Sequence, residues 1–248
     1  MIDVTSRGDI AILTMVHGKA NALTTEFCDT LAARVRETTA ARAIVITGAG
    51  RIFSAGVDLP RLLAGGPSYA REFLPALHRL YDTIFFHPKP VVAAVNGHAV
   101  AGGCVLACAA DARLMADNGT RIGVTELLVG VPFPPLAFEI MRYATAPQFF
   151  PAVIFSGATF APEDAKARGL IDEIAAPQAL IDRAIAAAET LAALSPAAFA
   201  LTKQQMRQPV AERTARNARD FGNEVTETWT AQGTLDHVRD YVARTLKK

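Results

Sequence analysis

Two stretches of the chain follow one plan: IVITGAGRIFSAGVDL at residues 44–59 and VAAVNGHAVAGGCVL at residues 92–106. Each starts with a short apolar run typical of a buried strand and passes through Thr-Gly or Asn-Gly as a turn. Each then reaches a small residue with glycine, followed by a second apolar segment. The sequence therefore predicts two copies of one strand–loop–helix unit, which would place two similar loops in similar surroundings.

The rest of the chain alternates between the same two kinds of element. Asp9–Val16 and Val91–Val95 are strand-like, and Thr24 or Thr25 can cap a helix that runs to about Thr39. Short apolar strands that alternate with helices predict an α/β fold with parallel strand pairing.

A longer helix is predicted over residues 67–86, and Pro75 inside it predicts a kink or a break. After about Gln148, Ala-rich helical segments replace the strand-like runs. We therefore predict a compact core at residues 1–195 and a C-terminal helical region at residues 196–248.

The composition is that of an ordered globular protein, with 51% hydrophobic and 20% charged residues among 248. The formal net charge of +1 gives no reason to expect nucleic acid or an acidic membrane surface as a partner. No stretch reaches the roughly 18 apolar residues of a membrane span, and the N-terminus lacks the pattern of a signal peptide. We expect a soluble, cytoplasmic protein.

The cysteines Cys28, Cys104 and Cys108 are few and odd in number, which fits a reducing compartment. Cys104 and Cys108 lie about one helical turn apart, a spacing that raises the question of a metal. No His or further Cys follows at the spacing of a zinc site, and the five histidines form no such pattern either. We expect two small core residues and no metal.

Small residues at Ala55-Gly56 and at Ala101-Gly102-Gly103 allow another group to approach the backbone of both loops. If each loop begins a helix, its first N–H groups have no partner within the helix. Two such N–H groups aimed at one point would form an oxyanion hole. The alternative is that the glycines permit tight turns and bind nothing.

One carboxylate stands alone in an apolar stretch, IGVTELLVGVPFPP at residues 122–135. Glu126 is the only charged residue between Arg121 and Glu139. It either faces water from a short helical turn, or it is held in an apolar pocket because chemistry requires it there.

The loops FSAGVDL at 53–59 and AVNGHAVAGGCVL at 94–106 resemble the two signature loops of the enoyl-CoA hydratase/isomerase (crotonase) superfamily. KANAL at 19–23 is similar to that family's N-terminal substrate segment, and PEDAKARGLIDEI at 162–174 is similar to its late helix–turn–strand. The resemblance covers nearly the whole chain. It implies a spiral of β-β-α repeats followed by a C-terminal helical region that assembles a homotrimer or hexamer.

The resemblance also implies an acyl-CoA thioester as the substrate and no separate cofactor, because coenzyme A is part of that substrate. Its thioester oxygen would be held by the N–H groups of Ala55 and Gly102. The residues Ala55, Gly56, Val57 and Asp58 would contact the CoA part of the substrate. Lys19 and Ala20 lie where the family binds the pantetheine and adenine ends.

Hydratases of this family use two glutamates, whereas this chain has Val105 at the first of the two positions and Glu126 at the second. Addition of water is well served by two carboxylates, but moving a double bond needs only one group that takes and returns a proton. The resemblance is therefore closest to the Δ3,Δ2-enoyl-CoA isomerases. Glu126 would be the acid/base, with Val105 as an apolar wall and Phe133 shaping the acyl pocket.

Two alternatives remain. The chain could be a hydratase or catalyse another acyl-CoA reaction of the family, with a second group supplied by Asp111, Glu139 or His98. It could instead be a non-catalytic homologue that binds acyl-CoA without turnover. The position of Glu126, buried or facing solvent, bears most directly on the second alternative.

Overall fold

The computed structural model describes residues 1–245, which contain ten strands and ten α-helices. The strands β1 to β10 are Ile2–Arg7, Ile10–Met15, Ala43–Gly48, Ile52–Ser54, Val91–Val95, His98–Val100, Ala112–Ala116, Ile122–Gly123, Thr159–Phe160 and Glu173–Ala175. The helices α1 to α10 are Thr25–Glu37, Leu59–Phe85, Gly102–Cys108, Glu126–Val129, Pro135–Ala144, Phe150–Ser156, Pro162–Ala167, Leu180–Ala192, Pro196–Thr230 and Gln232–Thr245. A 3₁₀ turn at Pro177–Ala179 precedes α8.

The order β-β-α occurs four times in succession, which confirms the predicted spiral of repeats. In the last three of these units the first strand joins a six-stranded sheet and the second joins a four-stranded sheet. The strand orders are β1-β2-β3-β5-β7-β10 and β4-β6-β8-β9. Because β4 pairs with β6 in parallel, the loops that follow these two strands lie at the same edge of the small sheet.

Both faces of the large sheet are buried at its central strands β3 and β5, as their apolar sequence requires. Along β3, Ile44 and Ile46 point into the main core, while Ala43 and Val45 point to the opposite face. Helix α8 covers that opposite face with Leu180 and other apolar residues. The remaining helices surround the main core, on the side where the two glycine loops lie.

Helix α2 contains a break, but the break is not at Pro75, and the prediction from that proline was wrong. The backbone departs from helical geometry at Gly66, with φ 59° and ψ −151°, a region that essentially only glycine occupies. Pro67 follows as the first residue of the second half. A residue at that position has no helical hydrogen bond from its backbone nitrogen, so a proline is tolerated there. Helical geometry then continues through Pro75 to Phe85.

The C-terminal stretch is helical as predicted, apart from residues 246–248, which lie outside the described residues. Helices α9 and α10 pack against the core rather than standing apart from it. Their buried residues Val210, Trp229, Leu235 and Val238 belong to the main core cluster. A boundary between residues 195 and 196 stays a prediction.

No single helix within residues 1–245 has both the length and the apolar character needed to cross a membrane. Pro177–Ala192 and Pro196–Thr230 meet that criterion only when taken together, across a bend of 100°.

A buried ion-pair cluster ties α9 to the large sheet. Asp111 lies 2.6 Å from Lys203 Nζ and 2.8 Å from an Arg207 guanidinium nitrogen. The Asp111 carboxylate also accepts the backbone N–H of Val91 at 2.8 Å. Burial lowers the pKa of Lys203 to about 8, although Asp111 opposes that effect. Asp111 is thus the anion that compensates two buried cations.

Asp111→Asn removes this anion and leaves Lys203 and Arg207 buried without a counter-charge. We expect it to lower the free energy of unfolding by about 3–5 kcal/mol in urea denaturation at neutral pH. As a control, Asp182→Asn breaks the exposed ion pair with Arg7 and should change stability by less than about 1 kcal/mol. Equal effects of the two substitutions would contradict this account.

Candidate active site

A cavity of about 400 Å³ lies where the two glycine loops meet. Its walls are mostly apolar and come from the segment after the N-terminal strands, from both loops, from α2, from α4 and from the C-terminal helices. The lining residues are Ala20, Ala22, Ala55, Val57, Asp58, Leu59, Pro60, Leu77, Tyr81, Val100, Ala101, Gly102, Val105, Thr125, Glu126, Val129, Val131, Pro134, Ala137, Trp229, Tyr241 and Thr245.

The two loops approach each other backbone to backbone. A Cβ placed on Gly56 would lie 2.9 Å from the nitrogen of Gly102, and one placed on Gly103 would lie 2.2 Å from the carbonyl oxygen of Ser54. Gly56 also has a positive φ of 78°. A side chain at either position would push the loops apart, so glycine is required at both.

The N–H of Ala55 does not point to a ligand. It donates to the carbonyl oxygen of Ala20 at 3.0 Å, so the prediction that Ala55 supplies an oxyanion-hole donor does not fit the structure. On either side of Val57, Leu23 N–H donates to Gly56 at 2.7 Å and Asp58 N–H donates to Leu23 at 3.1 Å. Because alternate N–H groups of an extended segment point in opposite directions, the N–H of Val57 points away from Leu23.

Two N–H groups are therefore available at the cavity. Within the part of the chain that the structure describes, neither Val57 N–H nor Gly102 N–H makes a hydrogen bond. Gly102 begins α3, and Ala101 before it has φ 52° and ψ −128°, an unfavourable conformation for a residue with a side chain. Such local strain is typical of functional sites. Val57 and Gly102 are the pair of donors that the geometry supports.

Glu126 is the first residue of α4 and lines the same cavity, with only 8% of its surface exposed. Among the described residues its Oε2 atom has no hydrogen-bond partner. Burial raises its pKa to about 7, an effect that the backbone N–H groups of Glu126 and Thr125 partly offset. Its neighbours Leu127 and Leu128 are the residues of α4 that face solvent. The structure thus places Glu126 in the apolar pocket.

The other predicted site residues divide into two groups. Ala20, Val57, Asp58 and Val105 line the cavity with the loops and Glu126. Lys19, Gly56 and Phe133 do not form its walls. Lys19 lies in an exposed turn, and Gly56 lies where the backbones of the two loops touch. The ring of Phe133 packs against that of Phe138, with 6.1 Å between the ring centroids.

The three residues considered as a second catalytic group lie outside the cavity wall. Asp111 belongs to the ion-pair cluster of α9. Glu139 is buried beside Arg213 at 2.6 Å and accepts a hydrogen bond from Asn217. His98 Nδ1 accepts the backbone N–H of Arg121 at 3.2 Å. All three have structural partners.

Several wall residues escaped the sequence analysis because they come from distant helices. Tyr81 reaches the cavity from α2, Trp229 from the end of α9, and Tyr241 from α10. Trp229 Nε1 donates to the carbonyl oxygen of Pro132 at 2.9 Å and so fixes the ring against the segment after α4. Helical spacing alone marks these residues as core, and nothing local shows which of them face the cavity.

The described residues contain no group of three or more His, Cys, Asp or Glu side chains that could hold a metal ion. Cys104 and Cys108 are buried on α3, and Cys28 is buried on α1.

Comparison with known proteins finds matches along most of the chain. The profile of the enoyl-CoA hydratase/isomerase family matches residues 5–240. A Thermus thermophilus protein named, provisionally, as an enoyl-CoA hydratase is 38% identical over 66% of this chain, and the match spans 65% of its own length.

Solved structures agree with this match. An enoyl-CoA isomerase of Mycobacterium tuberculosis in its apo form is 33% identical, with a TM-score of 0.83 over 90% of this chain and 98% of that one. Human mitochondrial Δ3,Δ2-enoyl-CoA isomerase has a TM-score of 0.92 over 99% of this chain and 98% of that one. At 23% identity, the human structure supports the fold alone.

The raised pKa of Glu126 makes the stability of the fold depend on pH. The folded protein holds this proton up to about pH 7, whereas the unfolded chain releases it near 4.5. The stabilisation is full below 4.5 and is lost as pH rises through 7. The difference between the two pKa values corresponds to about 3 kcal/mol of folding free energy.

We expect Glu126→Gln to be more stable than the wild type at pH 8 by roughly that amount, relative to their difference at pH 4.5. Urea unfolding at both pH values measures this, and a pH-independent difference would contradict it.

Proposed function

Because the chain belongs to the enoyl-CoA hydratase/isomerase family, we propose that it converts 3-enoyl-CoA thioesters to 2-enoyl-CoA thioesters, with Glu126 as the single acid/base. One observation carries the proposal. The cavity that contains the two available N–H donors also contains one buried carboxylate with a pKa of about 7, and Val105 stands where a hydratase of this family has another. Coenzyme A enters as part of the substrate, and the reaction needs no separate cofactor.

The thioester carbonyl oxygen is held by the N–H groups of Val57 and Gly102. When a proton leaves C2, negative charge builds up on this oxygen, and fixed donors stabilise that charge more than they stabilise the ground state. Each such donor is typically worth ~2.7–4 kcal/mol of transition-state stabilisation. Two donors together therefore make the C2 proton acidic enough for a carboxylate to remove.

Glu126 then moves one proton. Its carboxylate takes the proton from C2 of the 3-enoyl thioester, and the dienolate forms with its charge on the held oxygen. The resulting carboxylic acid returns the proton to C4, which leaves the double bond between C2 and C3. A pKa of about 7 suits both steps, because the group is partly ionised and can still donate.

The apolar wall protects the intermediate. Val105, Val129 and Trp229 surround the cavity without offering a group that could activate water. A dienolate held there is protonated by Glu126 rather than by solvent. This favours isomerisation over hydration.

Hydration is the second candidate, because the Thermus thermophilus relative bears a hydratase name. Besides Glu126, the ionisable residues that line the cavity are Asp58, Tyr81 and Tyr241. Asp58 already accepts the N–H of Arg61 as the cap of α2, and burial raises the pKa of Tyr81 well above its ordinary value. Tyr81 therefore stays protonated near neutral pH and supplies no base that could activate water.

We also propose that three or six copies of the chain associate. Helix α9 carries three large apolar side chains that are more than half exposed in the single chain: Leu201, Met206 and Phe221. Contact with a neighbouring copy of the chain would remove these apolar side chains from water. The acyl-CoA and further copies of the chain are then its partners, with no role for nucleic acid or a membrane.

The first test is a spectroscopic assay with a 3-enoyl-CoA and a 2-enoyl-CoA. We expect the wild type to conjugate the first rapidly and to hydrate the second slowly or not at all. Glu126→Gln should lower the isomerisation kcat by about 10²–10⁴-fold, because general acid–base catalysis is lost. Glu163→Gln, at an exposed position on α7, is the matched control and should be unchanged. Fast hydration of the 2-enoyl-CoA would overturn the single-carboxylate mechanism, and binding without any turnover would favour a non-catalytic homologue.

The second test is the pH dependence of kcat/KM between pH 5 and 9. The base must be ionised in the free enzyme, so kcat/KM should fall about tenfold per pH unit below a midpoint near 7 and level off above it. A midpoint near 4.5, the value of an exposed glutamate, would show that another group is the base or that Glu126 is solvated.

A further inference from the structure

Tyr81 is a buried phenol that connects the two repeats at the cavity. It lies on α2, the helix that leaves the first glycine loop, and its hydroxyl donates to the carbonyl oxygen of Gly102 in the second loop at 2.9 Å. The side chain is 1% exposed, and it lines the cavity. A Cβ on Gly102 would lie 2.9 Å from the phenol oxygen, so glycine at 102 also makes room for this hydrogen bond.

This hydrogen bond lies at the start of helix α3. Helix α3 begins at Gly102 with no side-chain cap, immediately after the strained Ala101. The Gly102 N–H shares a peptide group with the Ala101 carbonyl, which accepts the backbone N–H groups of Cys104 at 2.8 Å and Val105 at 3.3 Å. The Gly102 carbonyl belongs to the next peptide group, and the Tyr81 hydroxyl donates to it. Leu23 packs beside the same point as the Tyr81 hydroxyl, because its Cδ1 would lie 3.0 Å from a Cβ on Gly102.

The protonation state of Tyr81 suits this role. Burial raises the pKa of its phenol well above the ordinary value, and the charge of nearby Glu126 raises it further. The hydroxyl therefore stays a donor throughout the pH range in which Glu126 titrates. A phenylalanine would fill the same space, so packing alone does not require the hydroxyl.

We propose that Tyr81 is a positioning residue for the oxyanion hole. Its hydrogen bond to the Gly102 carbonyl fixes the peptide group after Gly102, the bonds to the Ala101 carbonyl fix the peptide group before it, and together they keep the N–H of Gly102 aimed at the same point as the N–H of Val57. This inference rests on the proposed function, because it assigns the two N–H groups to a thioester oxygen. Tyr81 acts through the backbone of the second loop. It sets how strongly the carbonyl is polarised and leaves substrate affinity largely to the rest of the cavity.

The test is Tyr81→Phe, with Tyr69→Phe as the matched control. Tyr69 is also buried on α2, and its hydroxyl accepts the backbone N–H of Thr25 at 3.2 Å, away from both loops. Two measurements are made on each full-length protein. One is kcat and KM for a 3-enoyl-CoA at pH 8. The other is the infrared stretching frequency of the carbonyl of a bound saturated acyl-CoA labelled with ¹³C at the thioester carbon.

We expect Tyr81→Phe to lower kcat by about 10- to 100-fold, as a small misplacement of a catalytic group does, with KM changed less than about threefold. The downward shift of the carbonyl frequency on binding should shrink in Tyr81→Phe. It should be unchanged in Tyr69→Phe, and the pH midpoint should stay near 7 in both. Thermal unfolding of both variants separates a loss of folded protein from a loss of polarisation.

The outcomes distinguish this inference from the proposed function. If the wild type shifts the carbonyl frequency but does not isomerise, and Tyr81→Phe loses the shift, the positioning role holds although the proposed reaction fails. If the wild type isomerises and Tyr81→Phe keeps both kcat and the shift, the positioning role is overturned and the reaction stands. Absence of any shift in the wild type overturns both, and equal losses in Tyr69→Phe show a merely structural effect.

Discussion

The close contact between two backbones is the constraint on which the rest of the structure depends. A Cβ on Gly97 would lie 2.0 Å from the carbonyl oxygen of Arg51, and one on Gly103 would lie 2.2 Å from that of Ser54. Glycine at these positions allows the two backbones to approach closely enough for β4 and β6 to pair in parallel. The pairing places the loops that follow the two strands next to each other. The internal repeat in the sequence thus has a structural consequence: it brings one N–H from each of two equivalent loops to one cavity.

The proposed reaction and the stability of the fold favour opposite protonation states of Glu126. An isolated carboxylate among apolar side chains is costly to ionise, and folding therefore favours the protonated form of Glu126. Proton abstraction requires the ionised form. A pKa of about 7 is the compromise, because both forms are populated near neutral pH. Within residues 1–245 no Lys, Arg or His lines the cavity beside Glu126. This is consistent with the interpretation, since an ion pair would fix the charge and weaken the base.

Sequence reasoning succeeded where the signal is local and failed where it depends on pairing between distant segments. The strands β2, β3 and β5 and the Thr24 cap of α1 follow from periodicity and composition, and the placement of Glu126 follows from the family resemblance. The donor at Val57 does not, because Ala55 and Val57 are distinguished only by which of them is bonded across to the segment containing Ala20 and Leu23. The break at Gly66 likewise depends on a backbone conformation that Pro75 does not impose. Tyr81 and Trp229 reach the cavity through long-range packing.

The C-terminal helices complete the site, and this bears on where the chain can be divided. Trp229, Tyr241 and Thr245 form part of the cavity wall, so the spiral of repeats alone would leave that side open to water. Helix α10 also contacts α4 directly, since His237 Nε2 lies 3.2 Å from the carbonyl oxygen of Leu128, two residues beyond Glu126. Desolvation is the cause of the raised pKa of Glu126, and desolvation requires that wall. The basicity of the Glu126 carboxylate is therefore set jointly by the repeats that place it and by the helices that cover it.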